Sequence, residues 1–109
     1  MAKFILLYKG PATPVEDMTP EQTEQVMQGW NAWIGKVGSA LVDVGNPFAA
    51  RTAVAGDGSV TTASDLNGHT IIEAADIDEA RGLCDSHPFL ADGTARFVIE
   101  IYELAPVPM

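Results

Sequence analysis

The stretch SHPFLADGTARFVIEIYEL, residues 86–104, decides the fold because it joins the end of a predicted helix to the last and most apolar predicted strand. Residues 97–103 are rich in β-branched and aromatic side chains and are bounded by glycine and proline, which is typical of a strand. Successive strand residues point to opposite faces, so Phe97, Ile99 and Ile101 should line one apolar face. The other face is mixed in polarity. We therefore expect helices on the apolar side and an interface or a cleft on the other.

The residues before this stretch predict three more long strands, a small hairpin and two helices. The predicted strands cover residues 3–9, 40–44 and 69–74, the hairpin covers 52–54 and 60–62, and a loop is predicted over 10–18. The first helix should begin at a capping box at Thr19 and end near Val37. The second should begin at Asp76 and end at or before His87, because Pro88 disfavours a helical conformation in the residue before it.

With the hairpin set aside, the order βαββαβ predicts an α+β fold of the ferredoxin-like type. Both helices of such a fold cover one face of an antiparallel sheet, and the other face stays exposed. An exposed apolar sheet face of several hundred Å² usually marks an interface. We therefore expect a homodimer in which two such faces meet.

The composition indicates one small, acidic domain spanning residues 1–109. With 6 basic against 15 acidic residues, the net charge of -9 repels a polyanion, so nucleic acid is not an expected partner. No apolar run approaches the roughly 20 residues of a membrane span, and the single cysteine excludes an internal disulfide. These features predict a cytoplasmic protein without membrane association. One cysteine and two scattered histidines do not make a ligand set, so no metal or other cofactor is expected.

Several pieces of the chain, in this order, resemble the YCII-related (YciI-like) family of the dimeric α+β barrel superfamily. These pieces are KFILLYKG (3–10), GWNAWIGKVGSALVDVGNPF (29–48), NGHTIIEA (67–74), DIDEARGL (76–83) and the stretch 86–104. The resemblance implies a dimeric α+β barrel and, in some branches, an enzyme with a histidine and an aspartate in a cleft. One related branch is linked to dehydrochlorination of a chlorinated aromatic. The family's histidine lies early in the chain, whereas no histidine precedes His69 here, so that pair is not carried over.

His87 is the first candidate for a catalytic side chain. It lies where the second helix should end, and a helix C-terminus stabilises an imidazolium and would keep the group titratable near neutral pH. It could act as a general acid or base, with Asp85 or Asp92 as the carboxylate that orients it. The alternative is that His87 only caps the last carbonyls of that helix.

A second set of residues could bind a ligand. Trp30 and Trp33 share the sheet-facing side of the first helix and either wall an aromatic pocket or belong to the core. Asn46 and Phe48 follow the second strand and form a plausible rim. His69 begins a later strand and either faces a ligand cavity or is only a polar residue at the mouth of that strand.

Two acidic residues complete the list of candidates. His69 and Glu73 lie on one face of their strand, separated by about 13 Å, and could face one cavity. If strand pairing brings Glu73 to Glu100, their repulsion would raise one pKa towards the range useful for proton transfer. Otherwise both face solvent.

Two classes of function remain open. The first is a small cofactor-independent enzyme, such as a lyase, isomerase or dehydrochlorinase, that moves a proton on a small cyclic or aromatic molecule. The second is a noncatalytic small-molecule binding or accessory protein. A clear acid/base pair would favour the enzyme.

Overall fold

One antiparallel sheet, two helices and a separate hairpin form the fold in this computed structural model, which describes residues 1–11 and 17–107. In chain order the elements are β1 (Ala2–Lys9), α1 (Pro20–Val37), β2 (Leu41–Asp43), β3 (Ala53–Val54), β4 (Val60–Thr61), β5 (Leu66–Ala74), α2 (Ile77–Leu83) and β6 (Val98–Glu103). The four-stranded sheet has the order β2-β5-β1-β6, and β3 pairs only with β4. This is the predicted α+β, ferredoxin-like arrangement. Within the single chain the sheet is open and does not close into a barrel.

Both helices begin where their capping residues predict. The Thr19 hydroxyl accepts from the Gln22 amide at 3.1 Å, and the Gln22 side chain accepts from the Thr19 amide at 3.0 Å. The Asp76 carboxylate accepts from the Glu79 amide at 2.8 Å in the same way. Each contact satisfies an amide that the first turn of a helix leaves without a partner.

Most strand boundaries differ from the sequence prediction by one to three residues. A 3₁₀ turn over Gly38–Ala40 takes the first residue assigned to the second strand, so β2 covers only Leu41–Asp43. The strand predicted from residue 69 starts earlier, at Leu66, because β1 continues to pair there and the adjacent loop packs on Gly68. β6 starts one residue later than predicted. The loop predicted over residues 10–18 lies partly outside the described residues.

The core lies between the helices and one face of the sheet. It contains a large buried side chain from each of β1, β5 and α1, namely Phe4, Ile72 and Trp33, which are at most 1% exposed. Burial of one such side chain stabilises the fold by roughly 1.5 to 3 kcal/mol relative to leaving it in water. Tyr8 and Thr70 point to the same side and are the polar members of that layer.

The opposite side of β1, β5 and β6 is called the open sheet face here. Its members are Lys3, Ile5, Leu7, Lys9, His69, Ile71, Glu73, Val98, Glu100 and Tyr102. Apolar side chains fill the centre, and the charged ones lie towards the two ends. Tyr102 and Val98 are 52% and 42% exposed. Neither helix covers this face.

The chain after β2 lies along the outer side of β5, and we call residues 44–48 the edge segment. The His69 amide donates to the Asn46 carbonyl at 3.3 Å, and the Phe48 amide donates to the Asn67 carbonyl at 2.8 Å. Gly45 has a φ of +76°, and a Cβ at this position would lie 1.8 Å from the His69 carbonyl oxygen. The close approach therefore requires glycine both for its backbone conformation and for space.

Candidate functional site

His87 lies inside the core, surrounded by aromatic rings. The residue is 1% exposed. The centroid of its ring is 4.3 Å from the ring centroid of Trp33, 4.8 Å from that of Trp30 and 5.1 Å from that of Tyr8. The Trp33 indole is held in turn by a 2.8 Å hydrogen bond to the Leu83 carbonyl. Trp30 and Trp33 thus pack on His87 as part of the core.

A directed chain of hydrogen bonds starts at the imidazole. The Val44 carbonyl can only accept, so the Thr70 hydroxyl donates to it at 2.9 Å and must accept from the Tyr8 hydroxyl at 2.5 Å. Tyr8 has then used its proton and accepts from His87 Nε2 at 3.1 Å. At the other side of the ring, His87 Nδ1 accepts from the Phe89 amide at 3.0 Å. The chain fixes a neutral imidazole protonated at Nε2.

Burial controls the pKa values in this layer. Desolvation lowers the pKa of His87 from 6.5 to about 4, because the charged imidazolium is disfavoured away from water. Desolvation also raises the pKa of the Cys84 thiol to about 11, with a smaller contribution from Asp85. Desolvation by burial likewise raises the pKa of Tyr8 well above its ordinary value. All three groups are neutral at neutral pH.

Two expectations for His87 were wrong. The end of α2 at Leu83 does not hold the imidazolium near neutrality, because the ring is buried and its pKa falls. Nor does His87 cap the last carbonyls of α2. It is instead the N-cap of the following 3₁₀ turn, Pro88–Leu90, where its ring nitrogen accepts from the Phe89 amide.

Neither predicted carboxylate reaches the imidazole. The Asp92 carboxylate accepts from the amide and hydroxyl of Thr94 at 3.0 and 2.9 Å, and the Thr94 amide is the main cause of its lowered pKa. Asp85 is exposed, and its backbone carbonyl accepts from the Lys36 ammonium at 2.7 Å. Both ring nitrogens of His87 already have other partners, so the structure does not bring these three residues together.

Three of the predicted ligand-binding residues do come together at the edge segment. The Phe48 ring stacks on the His69 ring with centroids 5.8 Å apart and planes 15° apart, and the Asn46 carbonyl accepts from the His69 amide. His69 Nδ1 is buried and has no hydrogen-bond partner among the described residues. We call this group the Phe48–His69 site. A buried polar atom without a partner is costly and requires an explanation.

The two glutamates occupy different ends of the open sheet face. Glu73 lies opposite Lys3, whereas Glu100 lies opposite Leu7, four positions further along β1. Leu7 also lies opposite His69, so Glu100 and His69 flank the same residue. The strand pairing therefore does not bring Glu73 to Glu100, and the mutual repulsion considered from the sequence has no basis in the structure.

Tyr8 and Thr70 were missed as site residues by sequence reasoning. Strand alternation places each on the helix-facing side of the sheet, but only the strand pairing shows that the two side chains meet. Among residues 1–11 and 17–107, no three side chains of His, Cys, Asp or Glu come together to hold a metal ion. None of the helices in this part of the chain is long and apolar enough to cross a membrane.

Comparison with known proteins identifies a structural neighbour. No family model and no curated protein sequence matches the chain. Among solved structures, it is similar to 5-chloro-2-hydroxyhydroquinone dehydrochlorinase (TftG) from Burkholderia phenoliruptrix AC1100, in complex with 2,5-dihydroxybenzoquinone. The sequences are 18% identical, the match covers 90% of each chain, and the TM-score is 0.50. At this identity the likeness shows a shared α+β fold.

Proposed function

We propose that this protein is a cofactor-independent enzyme that moves a proton on a small cyclic or aromatic molecule, with His69 as the proton-handling group. The observation that carries the proposal is that Nδ1 of His69, beside the Phe48 ring, has no hydrogen-bond partner among the described residues, so no protein group fixes the tautomer of this imidazole. Histidine is the side chain that most often transfers protons near neutral pH. The other histidine, His87, has both ring nitrogens in use.

The surroundings of His69 suit a flat ligand. Phe48 offers an aromatic ring that is 40% exposed and can contact a second ring. Glu100 lies two strands away from His69 on the same face, a backbone separation of about 10 Å with Leu7 between them, so one small ring that lies over Leu7 can reach both side chains. Glu100 accepts a hydrogen bond from Tyr102 at 3.1 Å and supplies a carboxylate on the far side.

The structural neighbour and the sequence resemblance support the same reaction class. TftG is named as a dehydrochlorinase, and such an elimination removes one proton and one chloride from the ring, so it needs a proton acceptor and no redox cofactor. The ordered sequence pieces that resemble the YCII-related family agree with this fold. We accordingly propose that the chain is a member of that family and shares its dimeric α+β barrel.

The first prediction is a loss of turnover on changing His69. We expect the wild type to release chloride from 5-chloro-2-hydroxyhydroquinone, and His69→Gln to be slower by about a hundredfold or more, as for removal of a general base. Phe48→Leu should raise KM with little change in kcat, because it removes a contact that the bound and reacting states share. Chloride release measured with an ion-selective electrode, with urea unfolding as a check on folding, tests both variants.

The alternative is a noncatalytic binding protein using the same site. It predicts no chloride release by the wild type but saturable binding of 2,5-dihydroxybenzoquinone, weakened by Phe48→Leu and little changed by His69→Gln. If the wild type releases chloride and His69→Gln releases it equally fast, the protein is an enzyme but His69 is not its proton-handling group.

We also propose a homodimer formed by the open sheet face. Apolar side chains such as Ile5 and Ile71 occupy its centre, and the two lysines and two glutamates from β1, β5 and β6 balance, with Asp43 of β2 opposite Ile71 at the edge. An apolar face that carries little net charge, on a protein of net charge -9, is compatible with pairing to a second copy about a two-fold axis.

The second prediction therefore concerns mass in solution. Light scattering at micromolar concentration should give twice the chain mass for the wild type and the monomer mass for Ile5→Glu, which places a charge at the centre of the face. Ile77→Glu makes the same change at an exposed position on α2 and should leave the dimer intact. A monomeric wild type, or dissociation by both variants, would contradict the proposed interface.

A further inference from the structure

A groove lies between the edge segment and the β3–β4 hairpin, beside the Phe48–His69 site. It is open to solvent, it has a volume of about 600 Å³, and Phe48 forms part of its wall. The rest of its lining is mainly small and apolar, with the hydroxyls of Thr52 and Ser64 and the guanidinium of Arg51 as polar groups. No acidic side chain lines it, although Asp65, between the lining residues Ser64 and Leu66, forms a long ion pair with Arg51.

Arg51 has the longest ion-pair distance of the three arginines. Its guanidinium is 4.0 Å from the Asp65 carboxylate, compared with 3.5 Å for Arg81 with Asp78 and 3.8 Å for Arg96 with Asp92. The Asp65 side chain is 68% exposed, so water weakens its hold on Arg51. A guanidinium has five N–H donors in a planar fork, and this single long contact leaves most of them available.

From this lining we infer that the groove binds a planar aromatic anion, whose ring packs on Phe48 and whose carboxylate or phenolate oxygens receive hydrogen bonds from Arg51. The inference extends the proposed function, since Phe48 belongs to both sites, and it specifies the substrate class as anionic. Arginine pairs with a carboxylate through two parallel hydrogen bonds, which gives direction as well as attraction. The small side chains leave space for a flat ring, and Thr52 and Ser64 offer hydroxyls to its polar substituents.

An anion fits this groove better than a neutral or cationic ligand. A cation would be repelled by Arg51, because the ion pair of Arg51 with Asp65 is long and its carboxylate lies mainly in solvent. A neutral ring would cover part of the guanidinium from water without giving it a new hydrogen-bond acceptor. On a protein with 15 acidic and 6 basic residues, a guanidinium with only this weak ion pair is also unusual.

The third prediction compares two matched probes, 2-naphthoate and its neutral amide, 2-naphthamide, by calorimetric titration of the full chain. We expect 2-naphthoate to bind at least tenfold more tightly than the amide. Arg51→Gln should weaken 2-naphthoate binding by about tenfold or more and leave 2-naphthamide unchanged, since only the charge-assisted hydrogen bonds are lost. Arg51→Lys keeps the charge but not the fork and should give an intermediate affinity.

Arg81→Gln is the matched control, because it removes the same charge from a side chain that is 77% exposed on α2. Equal binding of the two probes, no binding at millimolar concentration, or the same weakening by Arg81→Gln and Arg51→Gln would overturn the inference. Failure of the proposed reaction gives a different result. If only the proposed reaction is wrong, the protein releases no chloride but still binds 2-naphthoate in a way that depends on Arg51. If only the anion inference is wrong, the protein releases chloride and binds the two probes equally.

Discussion

Replacing His87 with alanine is expected to lower the free energy of unfolding by about 3 kcal/mol or more, with the midpoint of urea unfolding as the measurement. The ring is fully buried between Tyr8, Trp30 and Trp33, so its removal leaves a cavity. It also removes the acceptor of the Phe89 amide and the donor to the Tyr8 hydroxyl.

Two conservative variants separate the functions of the two ring nitrogens. In His87→Asn, the side-chain oxygen can replace Nδ1 as acceptor for Phe89, and in His87→Gln, the amide can replace Nε2 as donor to Tyr8. Each should recover part of the lost stability. Tyr8→Phe is the companion variant, because it leaves a buried Nε2–H without an acceptor and should cost about 1 to 3 kcal/mol. A His87→Gln protein of wild-type stability that has lost chloride release would reinstate His87 as a catalytic group.

His87 also gives stability a definite dependence on pH. Its pKa is about 4 in the folded state and 6.5 ordinarily, so between these values the unfolded chain binds more protons than the folded one. The contribution is therefore complete above pH 6.5 and is lost as the pH falls towards 4, by on the order of 3 kcal/mol. His87→Asn should lack this loss, and subtracting its curve from that of the wild type cancels the other titrating groups. Parallel curves between pH 7 and 4 would show that the imidazole is not buried.

The second large effect is expected at Gly45. Gly45→Ala should lower the free energy of unfolding by about 2 to 4 kcal/mol, because a side chain is strained at this φ and because the new Cβ would overlap the His69 carbonyl. Relief requires the edge segment to move away from β5, which weakens the hydrogen bonds of Asn46, Phe48 and Val44 to that strand. The Phe48–His69 stack should loosen at the same time, which would weaken the ligand binding proposed for this site.

Gly93→Ala provides the matched control for this variant. Gly93 has a similar φ of +70°, but a Cβ there meets no atom within 4 Å. The free energy of unfolding of Gly93→Ala should fall by only about 1 kcal/mol, the cost of a side chain in the left-handed region. Urea unfolding of the two variants thus separates the strain from the collision. Equal losses would mean that the edge segment does not lie close against β5.

Local chemistry made much of the fold predictable. Thr19 and Asp76 identify the helix starts because a capping side chain acts within one turn, and the alternation from residue 97 to 103 gives the faces of β6. The burial of His87 was not predictable in this way. Pro88 indicated that α2 would end before it, but the ring is buried by residues of β1 and α1 that are distant in sequence.

The site was only partly predictable for the same reason. Asn46, Phe48 and His69 were each selected for their position at the end of a strand, and the pairing of the edge segment with β5 brings them together. Arg51 was not selected, because nothing in the letters around it shows that a hairpin folds over to form a groove. Two carboxylate partners within five residues of His87, Asp85 and Asp92, were predicted, whereas the actual partner of its Nε2 is Tyr8, at the other end of the chain.

The hydrogen-bond chain from His87 through Tyr8 and Thr70 to Val44 has a consequence for folding kinetics. Its three side-chain links join residues 79, 62 and 26 positions apart. Contacts of such long sequence separation close large loops and slow folding, and they form only after those loops have closed. The layer around His87 should therefore assemble late, in one step with the docking of β1 between β5 and β6. If the chain were cut between β2 and β5, each of the three links would join the two fragments. Neither fragment alone could then form any part of this hydrogen-bond chain.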